Sequence, residues 1–490
     1  MTRISRNMVR KIWPWVVLFH AVLFLAFWLT NSLFYSSTND YLAKMLGRQL
    51  DYINILLWGT AFLGTWSAAR LLLTYFRIVH RLAGLTDWLY GLIGLVYIVF
   101  FYGSLWLLFR ESPVQIVRIR QLLNYYRLIL DPALFLGVII VLGIIVRRLK
   151  KRFGRNFVYL PGLVVLVALW IVPVVISPGS VYKGALPTKP LVIAHRGASM
   201  LAPENTIASA ELASSLGVFG IETDIHISSD GVPFLMHDDT LFRTTDARMV
   251  FPDRSNDRAE YFSMAEISQL NAGTWFVNLD PFHIIADGQV SIEQIEKYKR
   301  QPVPTLTSEL DIVKADNLVF IFDLKQPPAD QPYSNSFFRI VFDQIKAAEI
   351  DPQVWFLVNS NELSIIKHEA PTMRPVYGVD FQNPPSVKSL TTAGYQIVNS
   401  EYGLAENWIR AYQQAGLWIN LYTIDESWQY SRLWILGVDS TTTSNASVMM
   451  DLKYPILGMP YSQYLLLWST SGIIGLLIYL AIGFAPKSKR

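Results

Sequence analysis

Apolar residues in this chain gather into runs long enough to cross a bilayer, and the middle of the sequence has no such run. A bilayer core of about 30 Å needs about 20 apolar residues in a helix. Five runs before residue 180 reach that length, at about 12–33, 52–74, 86–109, 128–147 and 157–177, and a sixth lies at about 463–484. The first run is too long and too aromatic for a signal-peptide core, and no small-residue cleavage site follows it. Residues 187–455 read as an ordinary soluble domain. That division explains a chain that is 52% hydrophobic, with mean hydropathy +0.30 and 16% charged residues, against roughly 25% in soluble proteins. The expectation is a six-span α-helical transmembrane bundle, with five helices in 1–180 and one in 462–485, attached to an α/β domain at 187–455.

Basic residues in short loops orient such a bundle. Arg3, Arg6, Arg10 and Lys11, then Arg77 and Arg81, then "RRLKKRFGR" (147–155) and the terminal "KSKR" all fall on one side if there are six spans. That side is predicted cytoplasmic, with both termini, and the soluble domain faces outward from a multi-pass protein of the cell membrane. Arg110, Arg118, Arg120 and Arg127 oppose this scheme, unless "VQIVRIRQLLNYYRLIL" lies flat as an interfacial helix. Arg70 and His20 sit inside apolar runs. Arg70 is close enough to an end to snorkel, and one histidine makes no relay. Few intramembrane charges and no obvious repeat speak against a transporter. The net charge of +4 forms no basic stripe on the soluble face, which removes nucleic acid as a partner. The absence of cysteine removes disulfides, a thiolate nucleophile and a zinc–thiolate site. Homo-oligomerisation through the tightly spaced spans stays open.

In the soluble part, short apolar runs alternate with amphipathic stretches: "LVIAH", "GIETDI", "VPFLM", "LVFIFDL", "VWFLV", "PVYGV", "QIVNS" and "LWINLY". Near-continuous apolar strands between helices indicate a parallel sheet covered on both faces. Eight strands in roughly 265 residues fit a (β/α)8 TIM barrel, with a small insertion after the third strand, between His237 and Leu318. Working residues of such barrels sit at the C-terminal strand ends. Those ends carry His195 and Arg196, then Glu222 and Asp224, then His237 and Asp238, then Asp323 and Lys325. Converging carboxylates without cysteine suit a hard divalent cation, Ca²⁺ or Mg²⁺; the two histidines keep zinc open. A cation with Arg196 and Lys325 would neutralise a phosphate, and two histidines supply base and acid. The chemistry is that of metal-assisted cleavage of a phosphate ester.

"HRGASMLAPENT", "GIETDIHISSDGVPFLMHDDTLFRTT", "VPTLTSEL", "FDLK" and "GVDSTTTSN" resemble, in order, the successive blocks of the glycerophosphodiester phosphodiesterase family. The flanking spans resemble its membrane-bound bacterial members. The resemblance implies that His195 and His237 are the acid–base pair, that Glu222, Asp224 and Asp323 bind the metal, and that Arg196 and Lys325 bind phosphate. It implies hydrolysis of a glycerophosphodiester or lipid-derived substrate to glycerol 3-phosphate and an alcohol, with direct attack and a cyclic phosphate both open. Three departures stand out: Asp323 where Glu is common, Tyr422 where Trp is usual, and "TTSNA", which lacks the family's closing carboxylate. That last departure motivates an alternative: a catalytically silent protein that binds a phosphate ligand or regulates.

Other residues have plainer expectations. Glu309 reads as a helix-start acid rather than a ligand, beside a capping Thr305 or Ser308. Glu204 shapes the mouth loop, His226 and Asp238 support the site, and His283 and His368 lie at the surface. Trp275, Phe276 and Phe282 are either core or an apolar lip for a lipid tail.

Overall fold

Runs rich in Val, Ile and Phe alternate with helices from residue 191 to 451 and close on themselves as a barrel. The computed structural model describes residues 13–25, 39, 48, 50–75, 90–99, 101–103, 113–153 and 159–484. They fall into two compact units, 1–116 and 117–490.

The strands are β1 (Leu191–His195), β2 (Gly220–Ile227), β3 (Pro233–Leu235), β4 (Val319–Leu324), β5 (Val354–Leu357), β6 (Arg374–Val379), β7 (Ile397–Glu401), β8 (Trp418–Tyr422) and β9 (Ser440–Thr443). Eight of them run parallel in the order β1-β9-β8-β7-β6-β5-β4-β2, and β2 returns to β1 through Ile193↔Gly220 and His195↔Glu222. The TIM barrel expected from the sequence is therefore present. Its interior holds Ile193, Ile321, Trp355, Val376 and Ile397. The alternation of a strand puts His195 and Asp323 on the same face as Ile193 and Ile321, above that layer.

Two strand assignments change. "VPFLM" is not a barrel strand: β3 folds back antiparallel on β2, after a turn at Gly231 with φ +86°. The eighth barrel strand is instead β9, "STTT", which has no apolar residue yet is buried throughout. Its hydroxyls meet polar partners inside the barrel. Asn420 Nδ2 donates to Thr442 Oγ1 at 2.8 Å, and Ser440 Oγ donates to Asn420 Oδ1 at 2.9 Å. The insertion accordingly follows the second barrel strand and its hairpin, not the third.

The membrane half also departs from expectation. Among the described residues, two helices are long and apolar enough to cross a bilayer, Val117–Lys150 and Tyr461–Gly483, rather than six. Runs 12–33 and 86–109 lie only partly within the described residues. The helix Tyr52–Tyr75 carries Asn54, Thr60, Thr65, Ser67 and Arg70 among its apolar residues, and the Arg70 guanidinium lies 4.5 Å from the ring centre of Tyr90. Tyr159–Val175 has 17 residues; its rise of about 25 Å falls short of a 30 Å core. The expected interfacial helix and fourth span are one continuous helix, Pro113–Phe153. Its arginines are partly spent on protein groups: Arg118 on Glu426 and Arg127 on Asp131, the latter at 2.9 Å.

The helices Pro113–Phe153, Tyr159–Val175 and Tyr461–Phe484 pack together. Phe135 meets Trp468, and Trp170 and Trp468 each donate an indole N–H to the other's carbonyl, at 3.1 and 2.6 Å. Their outward sides are apolar and open, with Leu134 69%, Val164 61% and Leu466 71% exposed. Exposed apolar surface on that scale marks a face that meets lipid or protein.

Candidate active site

The C-terminal end of β1 carries the first site residues. Arg196 takes the left-handed conformation (φ 57°), which lets the chain turn abruptly after His195. Its amide donates to Glu222 Oε2 at 3.2 Å and its Nη1 to Glu204 Oε1 at 3.0 Å. Its Nε stands 3.1 Å from Asp224 Oδ2 as an ion pair, without the alignment of a hydrogen bond. Thr206 caps the following helix, Ile207–Ser215, through the amide of Ser209. That cap fixes the preceding Asn205, whose Nδ2 donates to Asp224 Oδ2 at 3.0 Å and whose Oδ1 accepts from Thr223 Oγ1 at 2.8 Å.

On β2, Glu222 and Asp224 share a face and differ in electrostatics. Burial and the neighbouring Asp224 charge push Glu222 well above the usual carboxylate range. Burial would raise Asp224 too, but Arg196 and Lys325 prevail and hold it low. Asp224 pairs in register with Asp323 on β4, and the Lys325 ammonium joins them, 2.9 Å from Asp224 Oδ1 and 2.6 Å from Asp323 Oδ2. Asp323 is half exposed at the mouth.

The two histidines have different partners. His195 Nε2 lies 3.7 Å from Glu222, and its Nδ1 lies 3.0 Å from Ser444 Oγ. Burial and the Arg196 charge hold its pKa down to about 3, so the imidazole is neutral at physiological pH. His237 Nδ1 donates to Asp238 Oδ1 at 2.7 Å. Hydrogen bonds from His237 and Arg243 outweigh burial and hold Asp238 low, so it acts as an acceptor only.

Several of these partners were not singled out from sequence. Arg243, inside the quoted "HDDTLFRTT", donates to Glu204 at 2.9 and 2.7 Å and to Asp238 at 2.6 and 2.8 Å. Beside the "TTSNA" turn lies Asp425, which accepts from the Ser444 amide at 2.7 Å and Thr443 Oγ1 at 3.2 Å. Glu309 is buried rather than placed at an exposed helix start, and burial raises it to about 8. Thr305 does cap that helix through the Ser308 amide. His226 is fully buried against Glu260 at 3.0 Å, away from solvent. Phe276 is core, Trp275 is half-buried, and Phe282, His283 and His368 are exposed.

A cation's place in this mouth is a question of donor chemistry. Glu222, Asp224 and Asp323 offer oxygen only, and the nearby Arg196 charge does not outweigh the burial that raises Glu222; that set suits a hard divalent ion. Among the described residues, no three acidic or imidazole groups are already gathered as a ligand cluster.

A profile of the "Glycerophosphoryl diester phosphodiesterase family" matches residues 195–447, over half of the chain. The chain belongs to that family. The glycerophosphodiester phosphodiesterase domain-containing protein 5 of Gallus gallus is 36% identical over 68% of this chain and 55% of its own length. A Mus musculus relative, glycerophosphoinositol inositolphosphodiesterase, is 33% identical over 65% of this chain and 58% of its own. The chain thus spans little more than half the length of these curated family members. Among solved structures, an Oleispira antarctica phosphodiesterase in complex with the product sn-glycerol-3-phosphate is 23% identical, with a TM-score of 0.42 over 53% of this chain and 95% of that one.

Proposed function

We propose that this chain hydrolyses glycerophosphodiesters to glycerol 3-phosphate and an alcohol. The observation that carries the reading is one barrel mouth that presents His195 and His237 around Arg196, Glu222 and Asp224. His195, neutral through burial, accepts the proton of the attacking hydroxyl, from water or from the glycerol 2-position. His237, with Nδ1 held by Asp238, turns Nε2 to the departing oxygen and returns a proton as the P–O bond breaks. Arg196 and Lys325, the two cations paired with Asp224, contact the phosphate. Glu222, Asp224 and Asp323 would hold a divalent cation, Ca²⁺ or Mg²⁺, which when bound supplies neutralisation of the phosphate oxygens.

The apolar, outward-facing surface of the helices Pro113–Phe153 and Tyr461–Phe484 supports attachment to a lipid surface. Substrates at that surface are then lysophospholipids, glycerophospho-headgroups or a polyglycerophosphate. The multi-pass arrangement with an outward barrel rests on the loop arginines. With no cysteine in the chain, single cysteines placed on the barrel and labelled in intact cells by an impermeant maleimide test that orientation.

The deciding experiment measures glycerol 3-phosphate released from glycerophosphocholine after EDTA treatment and again with Ca²⁺, Mg²⁺ or Zn²⁺ restored. Metal-restored release that His195→Ala and His237→Ala abolish is the expected result. Activity surviving both substitutions contradicts the reading.

A further inference from the structure

A guanidinium with a side chain only 3% exposed needs an anionic partner, because an isolated buried charge is prohibitively costly. Arg118, near the start of the helix Pro113–Phe153, has one in Glu426. The other oxygen of Glu426 accepts the Trp428 indole N–H at 2.5 Å. Glu426 belongs to the loop that leaves β8 at the catalytic end of the barrel.

Its neighbour in that loop is Asp425. As well as the Ser444 amide and the Thr443 hydroxyl, Asp425 takes the Asn445 side-chain amide on its carbonyl at 3.2 Å. Ser444 Oγ in turn touches His195 Nδ1. A continuous set of contacts therefore runs from the apolar helix to the imidazole: Arg118, Glu426, Asp425, Ser444, His195.

The same helix makes two more attachments. Gln121 Nε2 donates to the carbonyl of Tyr402, just past β7, at 3.0 Å, and Tyr125 OH donates to the carbonyl of Ile456. Positions 118, 121 and 125 have the i, i+3, i+7 spacing of one helical face. Tyr402 donates its amide to the Tyr422 carbonyl at 2.8 Å, which ties the loop after β7 to the end of β8.

We infer that Arg118 is a positioning residue of the active site: it clamps the β8 loop so that Asp425 keeps Ser444 against His195. The inference rests on the phosphodiesterase reading above. Without Arg118, the mostly buried Glu426 charge keeps only the Trp428 indole N–H, and the loop relaxes toward water to solvate it. Asp425 moves with it, and Ser444 no longer fixes which way the imidazole points.

The test uses the full-length protein and soluble glycerophosphocholine, with kcat and KM measured separately for wild type, Arg118→Gln, Arg118→Lys, Ser444→Ala and the double variant Arg118→Gln/Ser444→Ala. Removing a group that orients a working side chain typically costs about 10- to 100-fold. We expect kcat of Arg118→Gln to fall within that range at unchanged KM. Lys, which restores the charge without the planar fork, recovers part of it. The double variant is no slower than the slower single, because both changes act on one imidazole. An unchanged kcat in Arg118→Gln, or losses that multiply in the double variant, overturns the inference. If Arg118→Gln does not give a cooperative thermal transition, Glu426→Gln carries the test, since it keeps the shape and removes the charge; full kcat there is equally fatal. A wild type inactive on every glycerophosphodiester takes away the enzyme reading and this inference with it, an outcome distinct from an active wild type whose variants are indifferent.

Discussion

His195 Nδ1 lies 3.0 Å from Ser444 Oγ, so the first and last barrel strands meet at one imidazole. Asp425 holds Ser444 from behind, accepting from its backbone amide at 2.7 Å. Ser444→Ala should keep the fold and lower kcat by about 10-fold, with KM little changed. Steady-state kinetics on glycerophosphocholine check this. An undiminished kcat means that Glu222, 3.7 Å from the other ring nitrogen, orients the histidine without help.

Arg243 bridges Glu204, the partner of Arg196, to Asp238, the partner of His237. One fork thus ties Arg196, through Glu204, to His237, through Asp238. Arg243→Gln should reduce kcat/KM by about 10- to 100-fold. Arg243→Lys should recover little, because an ammonium cannot reach both carboxylates in a bidentate arrangement. Full recovery by Lys would show that charge alone matters there.

The residues gathered at the barrel mouth were more legible in the sequence than the strands that carry them. His195, Glu222, Asp224 and Asp323 lie on strands whose apolar neighbours announce them, so their spacing could be read directly. β9 could not be: "STTT" looks like a turn until Asn420 appears across the barrel to satisfy it. β3 misled in the opposite sense, because three apolar residues form a strand without saying which strand they pair with. Arg243 and Asp425 went unread because their partners are far along the chain or belong to a backbone amide. Arg118 looked like a lipid-facing charge, and only the barrel reveals its partner.

Glu309 offers a test in pH. Burial raises it from the ordinary 4.5 to about 8, so at neutral pH it is protonated in the folded protein and ionised in the unfolded chain. Below pH 4.5 both states hold the proton and nothing is lost. From there to about 8 the penalty grows as pH rises, and above 8 it is constant. Glu309→Gln keeps the shape and removes the titration. Its advantage over wild type should be smallest near pH 4.5 and reach on the order of 3 kcal/mol at pH 7. Urea unfolding of both proteins between pH 4.5 and 8 gives the comparison. A difference that does not change over that interval would sink this account.

Gly197 closes the turn after Arg196 with φ +76°, and a Cβ there would lie 2.4 Å from Ser209 Oγ and 2.7 Å from the Ser209 carbonyl carbon. The fit is close because Ser209 Oγ donates to the Arg196 carbonyl at 3.0 Å and the Ala198 amide to the Ser209 carbonyl at 3.0 Å. Gly197→Ala therefore meets two costs, a left-handed backbone and a backbone collision that moves Arg196. Gly288 has a similar φ of +69° with nothing within 4 Å of the added carbon, so Gly288→Ala meets only the first. We expect about 1 kcal/mol lost at Gly288 and about 2–4 kcal/mol at Gly197. Only the Gly197 variant should also lose turnover, because only there does the Arg196 carbonyl shift, beside His195 and Glu222. Equal losses at the two glycines, or full turnover in Gly197→Ala, would mean that the turn yields without disturbing Arg196.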